Sequence, residues 1–172
     1  MGFEAVRALI CDVDGTLTDG TIYLGAVGGE EVELKGFHAA DGAGITYLLR
    51  CGVAVALITG RTSALVARRA QELGVEQVRQ GASPKEPAYE ELMAALGVTD
   101  AEVCYVGDDL ADVPLLHRAG CGVAVGDARP EVRAAANYVT DAPGGRGAVR
   151  EVAERILKAQ GKWADVLRRY GL

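Results

Sequence analysis

Short, unbroken apolar runs alternate with longer amphipathic ones along most of the chain, and no other feature restricts the fold as strongly. AVRALIC at 5–11, VAVALI at 53–58, EVCYV at 102–106 and CGVAV at 121–125 read as strands, with weaker candidates at 75–79 and 138–140. Strands apolar along their whole length are buried on both faces, as in a parallel sheet. Helical periodicity fills the gaps, at 44–50, 62–73, 84–96, 112–119, 130–136 and 147–160. The clearest of these, 62–73, sets Leu65, Val66, Ala70 and Leu73 on one side, with Arg68, Arg69 and Glu72 mostly on the other. Pro84 at the start and Gly97 past the end punctuate the 84–96 helix in the expected way. The repetition predicts an α/β fold with helices on both faces of a parallel sheet. One segment breaks it: TIYLGAVGGEEVELKGF at 21–37, two short alternating runs around a glycine-containing turn, predicts a β-hairpin.

The length, 172 residues, suits a single domain over 1–172, with the hairpin at 20–37 as an insertion after the first strand. No apolar run approaches the roughly 20 residues that a membrane span needs, and the start, MGFEAVRALI, lacks the form of a secretory signal. A cytoplasmic protein without membrane partners is expected. The formal net charge of −6 argues against nucleic acid as a partner, although local cations or a metal can still favour an anionic ligand. The four cysteines, Cys11, Cys51, Cys104 and Cys121, are widely spread with no CxxC pair, and read as small core residues in a reducing compartment.

Four pieces carry chemistry, each at the end of a strand or in the turn after it, where reacting groups gather in open α/β sheets. The first strand ends in Asp12-Val13-Asp14-Gly15-Thr16. Alternation places Asp12 and Asp14 on the same side of the chain. Two carboxylates so close ionise together readily only around a cation, and a hard ion such as Mg²⁺ prefers oxygen ligands. Taken alone, the pentapeptide also reads as an acidic turn. The second strand ends in Thr59-Gly60-Arg61, where a hydroxyl and a backbone N–H suit a phosphate oxygen, or where Thr59 simply precedes the helix cap Ser63. Lys85 falls in the first turn of the 84–96 helix, where a cation is disfavoured unless it holds an anion. The third strand ends in Gly107-Asp108-Asp109-Leu110-Ala111-Asp112, three carboxylates that are unfavourable without a metal or a Lys partner. Together the four describe a phosphate site.

In this order, DVDGT at 12–16, Thr59 with Gly60, Lys85, and GDDLAD at 107–112, the chain resembles the haloacid dehalogenase superfamily over most of its length. The resemblance implies a Rossmann-like three-layer α/β/α core. It implies a magnesium-dependent phosphatase with Asp12 as nucleophile and Asp14 as general acid/base. The metal ligands would be Asp12, Asp108 and the backbone carbonyl of Asp14. Thr59, Gly60 and Lys85 would bind the transferring phosphoryl group, and Asp109 and Asp112 would support Lys85 or the metal's surroundings. The stretch between Thr59 and Lys85 has room for a helix and a strand only, so the core is expected to be capless.

FHAADGAGI at 37–45, the hairpin and GGRGAVRE at 144–151 further resemble the 3-deoxy-D-manno-octulosonate 8-phosphate phosphatase group, whose members are homotetramers with hairpins meeting in a central barrel. Arg61 and Arg69 are candidates for a sugar-acid carboxylate, a solvated helix face being the alternative for each. Gly145 and Arg146 fall in a glycine-rich segment that in this group covers a neighbour's active site. Arg61 with Glu72 is closer to the octulosonate group than to phosphatases of nine-carbon ulosonic acid phosphates. Ala39 and Ala40 stand where relatives often carry a basic or polar residue, which leaves another small phosphate ester open. His38 and His117 read as structural. Two other classes compete. A signalling receiver domain carries its phosphorylated Asp on the third strand, whereas both carboxylates here follow the first; a non-catalytic assembly module has no need of intact Asp12, Asp14, Lys85 and Asp108.

Overall fold

The structure, a computed structural model, describes residues 2–172. Six strands form one parallel sheet: β1 (Ala8–Cys11), β4 (Ala54–Ile58), β5 (Gln77–Arg79), β6 (Val103–Gly107), β7 (Cys121–Ala124) and β8 (Tyr138–Val139). Their spatial order is β5-β4-β1-β6-β7-β8. β1 is central, with Ala8 opposite both Ala54 and Val103. The chain turns to one side of β1 for β4 and β5 and to the other for β6 to β8, so the crevice that follows a change of winding direction opens at the carboxyl end of β1. β1 and β6 are buried at every residue, which matches their unbroken apolar sequence.

Helices α1 (Ala39–Arg50), α2 (Ala64–Leu73), α3 (Glu86–Leu96), α4 (Val113–Arg118), α5 (Pro130–Ala135), α6 (Ala148–Ala159) and α7 (Trp163–Arg168) complete the layers. Ser63 caps α2 by accepting the Leu65 N–H, and Gly74 closes it with φ of 76°. Only α2 and β5 lie between Thr59 and Lys85, so the core is capless. Between β1 and α1 stands the expected hairpin, β2 (Tyr23–Val27) antiparallel to β3 (Glu30–Leu34). Its two-residue loop, Gly28-Gly29, has φ of 63° and 89°, the left-handed pair that tight hairpins require.

The larger differences from the sequence reading lie near the two ends of the chain. Residues 3–5 form a 3₁₀ turn, and the first strand begins only at Ala8. Helix α1 begins at Ala39 rather than 44, through Gly42 and Gly44, two residues that weaken an isolated helix. Packing overrides that weakness. The buried Asp41 carboxylate accepts the Gly147 and Arg150 N–H groups at 3.0 and 2.8 Å, closing the start of α6, and a Cβ at Gly44 would lie 3.0 Å from the Arg150 Cα. The FHAADGAGI segment is therefore a docking surface for α6. Helix α7 was not expected; Val166 is buried on it and Trp163 packs edge-on against Tyr47. Cys11, Cys104 and Cys121 are buried within strands. Among the described residues, no helix is long and apolar enough to cross a membrane.

Candidate active site

The sheet brings the motif residues to one end. Asp12 follows β1, Thr59 follows β4, Lys85 immediately precedes α3 and Asp108 follows β6. Lys85 caps α3 rather than lying in its first turn, because the helix begins at Glu86. Its side chain is 7% exposed, and the ammonium donates to Asp12 Oδ1 at 2.5 Å and to Asp112 Oδ1 at 2.6 Å. A cleft of about 470 Å³ runs beside Lys85, lined also by Gly60, Ser83 and Ala111.

Asp112 organises the floor. Its Oδ1 also accepts the Tyr105 hydroxyl at 2.6 Å, and its Oδ2 accepts the Asp108 and Asp109 N–H groups at 3.0 and 3.1 Å. Four donors fill the roughly four acceptor positions of a carboxylate. Asp112 thus holds Lys85 from below. The Asp109 side chain accepts the Leu110 N–H at 2.8 Å and caps the 3₁₀ turn Leu110–Asp112, and it makes no hydrogen bond with Lys85 among the described residues. A short polar side chain at the mouth of a turn is drawn to the turn's own free N–H.

Two glycines make this crowding possible. A Cβ at Gly15, where φ is 95°, would lie 2.2 Å from Asp108 Oδ2, and one at Gly107 would lie 2.4 Å from Asp112 Cγ. Thr16 Oγ1 donates to Asp108 Oδ1 at 2.9 Å and holds that carboxylate towards Asp12.

Carboxylate oxygens of Asp12, Asp108 and Asp112 lie within 4.8 Å of one another. The donors are all oxygen, the set a magnesium ion prefers. With Asp112 saturated by its four donors, Asp12 and Asp108 are the two carboxylates of this group that could hold the ion. Burial works against the charge on Asp12. Burial and the charge of Asp112 push Asp108 up to about 6, against the opposing pull of Thr16. Burial also disfavours the Lys85 ammonium, but Asp12 and Asp112 outweigh it and keep Lys85 protonated above its usual range. The residues thus form a desolvated anionic pocket that a divalent cation completes.

A pH-dependent metal effect follows. Folded Asp108 keeps its proton up to about pH 6, whereas the unfolded carboxyl, at the ordinary 3.8, has lost it. Through that window the folded state binds more protons, so metal-free stability from this group falls as pH rises. Magnesium added at pH 7.5 meets an ionised Asp108; at pH 5 it must displace a proton. At a hundred times Kd the stabilisation is ~2.7 kcal/mol, an increase in Tm of about 5–10 °C for a domain of this size. Melting curves with and without Mg²⁺ should show that increase at pH 7.5 and a clearly smaller one at pH 5; equal increases would contradict the assignment of Asp108.

Asp14 is held apart from this cluster. Its Oδ1 accepts from Lys35 Nζ and its Oδ2 from the Thr59 hydroxyl at 3.2 Å. Thr59 also accepts the Arg61 N–H at 3.2 Å. Arg61 and Gly60 are exposed at the rim. Arg69 lies over the Phe37 ring and pairs with Glu72 at 3.3 Å. Gly145 and Arg146 lie against their own chain's loop after β1. Gly145 N–H donates to the Thr16 carbonyl at 2.8 Å, and Arg146 is 3.6 Å from Asp19. The fit is tight enough that a Cβ at Gly144 would fall 1.7 Å from the Gly15 carbonyl oxygen. His38 and His117 are exposed and lie outside the cluster. Sequence reasoning missed Tyr105, whose apolar strand hid its hydroxyl, and Lys35. The signal for Lys35 was period-two spacing: Glu33 and Lys35 share one face of the hairpin's return leg.

A family model described as haloacid dehalogenase-like hydrolase matches residues 77–151. The chain is 49% identical over 157 residues to the 3-deoxy-D-manno-octulosonate 8-phosphate phosphatase of Yersinia pestis, covering 91% of this chain and 82% of that protein. The crystal structure of a Yersinia pestis phosphatase of that name superposes with a TM-score of 0.90 at 48% identity, over 93% of this chain and 85% of that one. The Moraxella catarrhalis enzyme of the same name, solved in complex with a magnesium ion, a phosphate ion and a KDO molecule, superposes with a TM-score of 0.93 at 39% identity, over 98% and 95% of the two chains. A capless parallel core, an oxygen-lined carboxylate pocket with a buried lysine, and these likenesses over nearly the whole length agree: the chain belongs to the haloacid dehalogenase-like hydrolases, in the group of magnesium-dependent 3-deoxy-D-manno-octulosonate 8-phosphate phosphatases.

Proposed function

We propose that this protein hydrolyses 3-deoxy-D-manno-octulosonate 8-phosphate to the free sugar acid and phosphate through an aspartyl-phosphate on Asp12. It acts as a single-domain protein, in a cytoplasmic homotetramer with shared active sites, and serves lipopolysaccharide biosynthesis. One observation carries the chemistry: the Asp12 carboxylate, at the end of the central strand, is held 2.5 Å from a buried Lys85 ammonium and beside Asp108.

The residues divide the work. Asp12 attacks phosphorus, and the bond from phosphorus to the ester oxygen breaks as the Asp12–phosphate bond forms. Asp14 gives a proton to the leaving alkoxide, then takes one from the water that hydrolyses the acyl phosphate, returning Asp12 as a carboxylate. Lys85, the Thr59 hydroxyl and the Gly60 N–H face the charge on the non-bridging oxygens. Asp12 and Asp108, with the Asp14 backbone carbonyl, would hold Mg²⁺, which would offset the repulsion between a carboxylate and a phosphate dianion. Arg61, Arg69, Gly145 and Arg146 recognise the sugar acid.

Assembly is supported by the hairpin. Tyr23, Val27 and Leu34, which strand alternation and pairing set on one face, expose 59, 69 and 63% of their surface, while Leu24 on the other face exposes 77%. An isolated two-stranded sheet is marginal in water, and a contiguous exposed apolar patch marks an interface. The substrate assignment is tested by phosphate release from a panel of esters with Mg²⁺. The octulosonate 8-phosphate is expected to exceed nine-carbon ulosonic acid 9-phosphates, hexose phosphates and nucleotides by at least ~10-fold in kcat/KM, the scale of one well-placed polar contact. Preference for a hexose phosphate or a nucleotide would overturn it.

A further inference from the structure

Each of the two aspartates that follow β1 is paired with its own buried lysine. Lys85 holds Asp12; the second, Lys35, comes from an unexpected place, the foot of the hairpin just past β3. The Lys35 side chain is only 1% exposed, more deeply buried than that of Lys85. A lysine ammonium is strongly hydrated and is almost never fully buried without paired charge. Here its charged partners are Asp14, in direct hydrogen bond, and Glu33, at 3.8 Å. Asp14 is thus gripped at both oxygens, by Lys35 on Oδ1 and by the Thr59 hydroxyl on Oδ2, while its side chain keeps 18% of its surface open. A free aspartate rotates about two bonds. One held by a donor from the hairpin and another from the end of β4 does not.

We propose that Lys35 is a positioning residue: with Thr59 it sets the Asp14 carboxyl in the orientation from which it meets the leaving-group oxygen. The inference rests on the reading of Asp14 as acid/base. It also makes the hairpin part of the catalytic apparatus as well as of the proposed assembly. The competing role, a simple anchor for the hairpin, has its own marker. The hairpin is tied to the core a second time, where Ser63 Oγ donates to Glu33 Oε2 at 2.6 Å. If anchoring were all that Lys35 did, cutting that second tie would have a similar effect.

The test compares Lys35→Met, Lys35→Arg and Ser63→Ala on two esters: p-nitrophenyl phosphate, whose leaving group departs without a proton, and the octulosonate 8-phosphate, whose alkoxide needs one. The readout is kcat/KM, which reports phosphoryl transfer and excludes the later hydrolysis step. Lys35→Met is expected to lower the alkyl ester by ~10²-fold, the scale of a misplaced acid, and the aryl ester by less than about fivefold. Lys35→Arg, which keeps the charge on a different fork, should lose about tenfold on the alkyl ester only. Ser63→Ala, which cuts the second tie and leaves both charged partners of Lys35 in place, should leave both within about threefold. Equal losses on both esters in Lys35→Met, or an alkyl-selective loss of the same size in Ser63→Ala, overturn the proposal. Should Lys35→Met not fold, the Lys35→Arg ratio decides in the same way. Wild-type turnover of both esters with Mg²⁺ checks the phosphatase reading itself; its absence overturns both together, whereas turnover with equal losses overturns the role of Lys35 alone.

Discussion

Replacing Asp12 by Asn will abolish phosphate release and leave the fold intact. An amide cannot form the acyl phosphate, and removing a covalent nucleophile costs on the order of 10⁶-fold in kcat. The fold tolerates the change because Lys85 keeps its second partner, Asp112, at 2.6 Å, and because burial already works against charge on residue 12. The amide oxygen still accepts from Lys85. Tm should therefore stay within about 3 °C of wild type, roughly 1 kcal/mol for a chain of this length. Phosphate release and a melting curve on one preparation check both halves. Retained turnover would move the nucleophile elsewhere, and collapse of the fold would show that Asp12 is structural.

Lys85→Met is expected to do the opposite to stability. It removes the cation between Asp12 and Asp112, which lie 6% and 1% exposed, and leaves the Tyr105 hydroxyl as the one remaining partner on Asp112 Oδ1. Breaking a buried pair from one side typically costs 3–5 kcal/mol, because the charge left behind is uncompensated; that is roughly 6–20 °C in Tm here. Turnover should fall by at least ~10³-fold through loss of charge stabilisation on the phosphoryl oxygens. The sign of the pH effect separates this from a general packing defect. The stranded carboxylates are relieved by protonation, so the variant should recover stability as pH falls towards 5. A deficit that is the same at pH 5 and pH 7.5 would contradict the charge argument.

The central chemistry was legible in the sequence because each part sits at a strand end, and a parallel sheet gathers strand ends. DVDGT after one apolar run, Thr59 after the next and GDDLAD after the third needed only the sheet order to meet, and Lys85 lies in hydrogen bond with both Asp12 and Asp112. The glycine within DVDGT also has a steric reason that the sequence could not reveal, the approach of Asp108 to within 2.2 Å of where a Cβ would stand. What stayed hidden depended on tertiary contact. The start of α1 was invisible because Gly42 and Gly44 argue against helix until α6 lies across them and Asp41 caps it. Asp109 could not be told from Asp112 by type; only geometry shows one capping a turn and the other under Lys85. Lys35 looked like one charge among several in a solvated hairpin, since neither the Asp14 it would face nor the depth of its burial is a local property.

The central claim is that Asp12 becomes covalently phosphorylated, and the most direct measurement is the mass of the peptide containing residue 12 after acid quenching during steady-state turnover with Mg²⁺. One added phosphoryl group localised to Asp12, present in wild type and absent in Asp12→Asn, is the predicted result. Continued phosphate release with no phosphoryl group on that peptide, or with one on a different side chain, would contradict it.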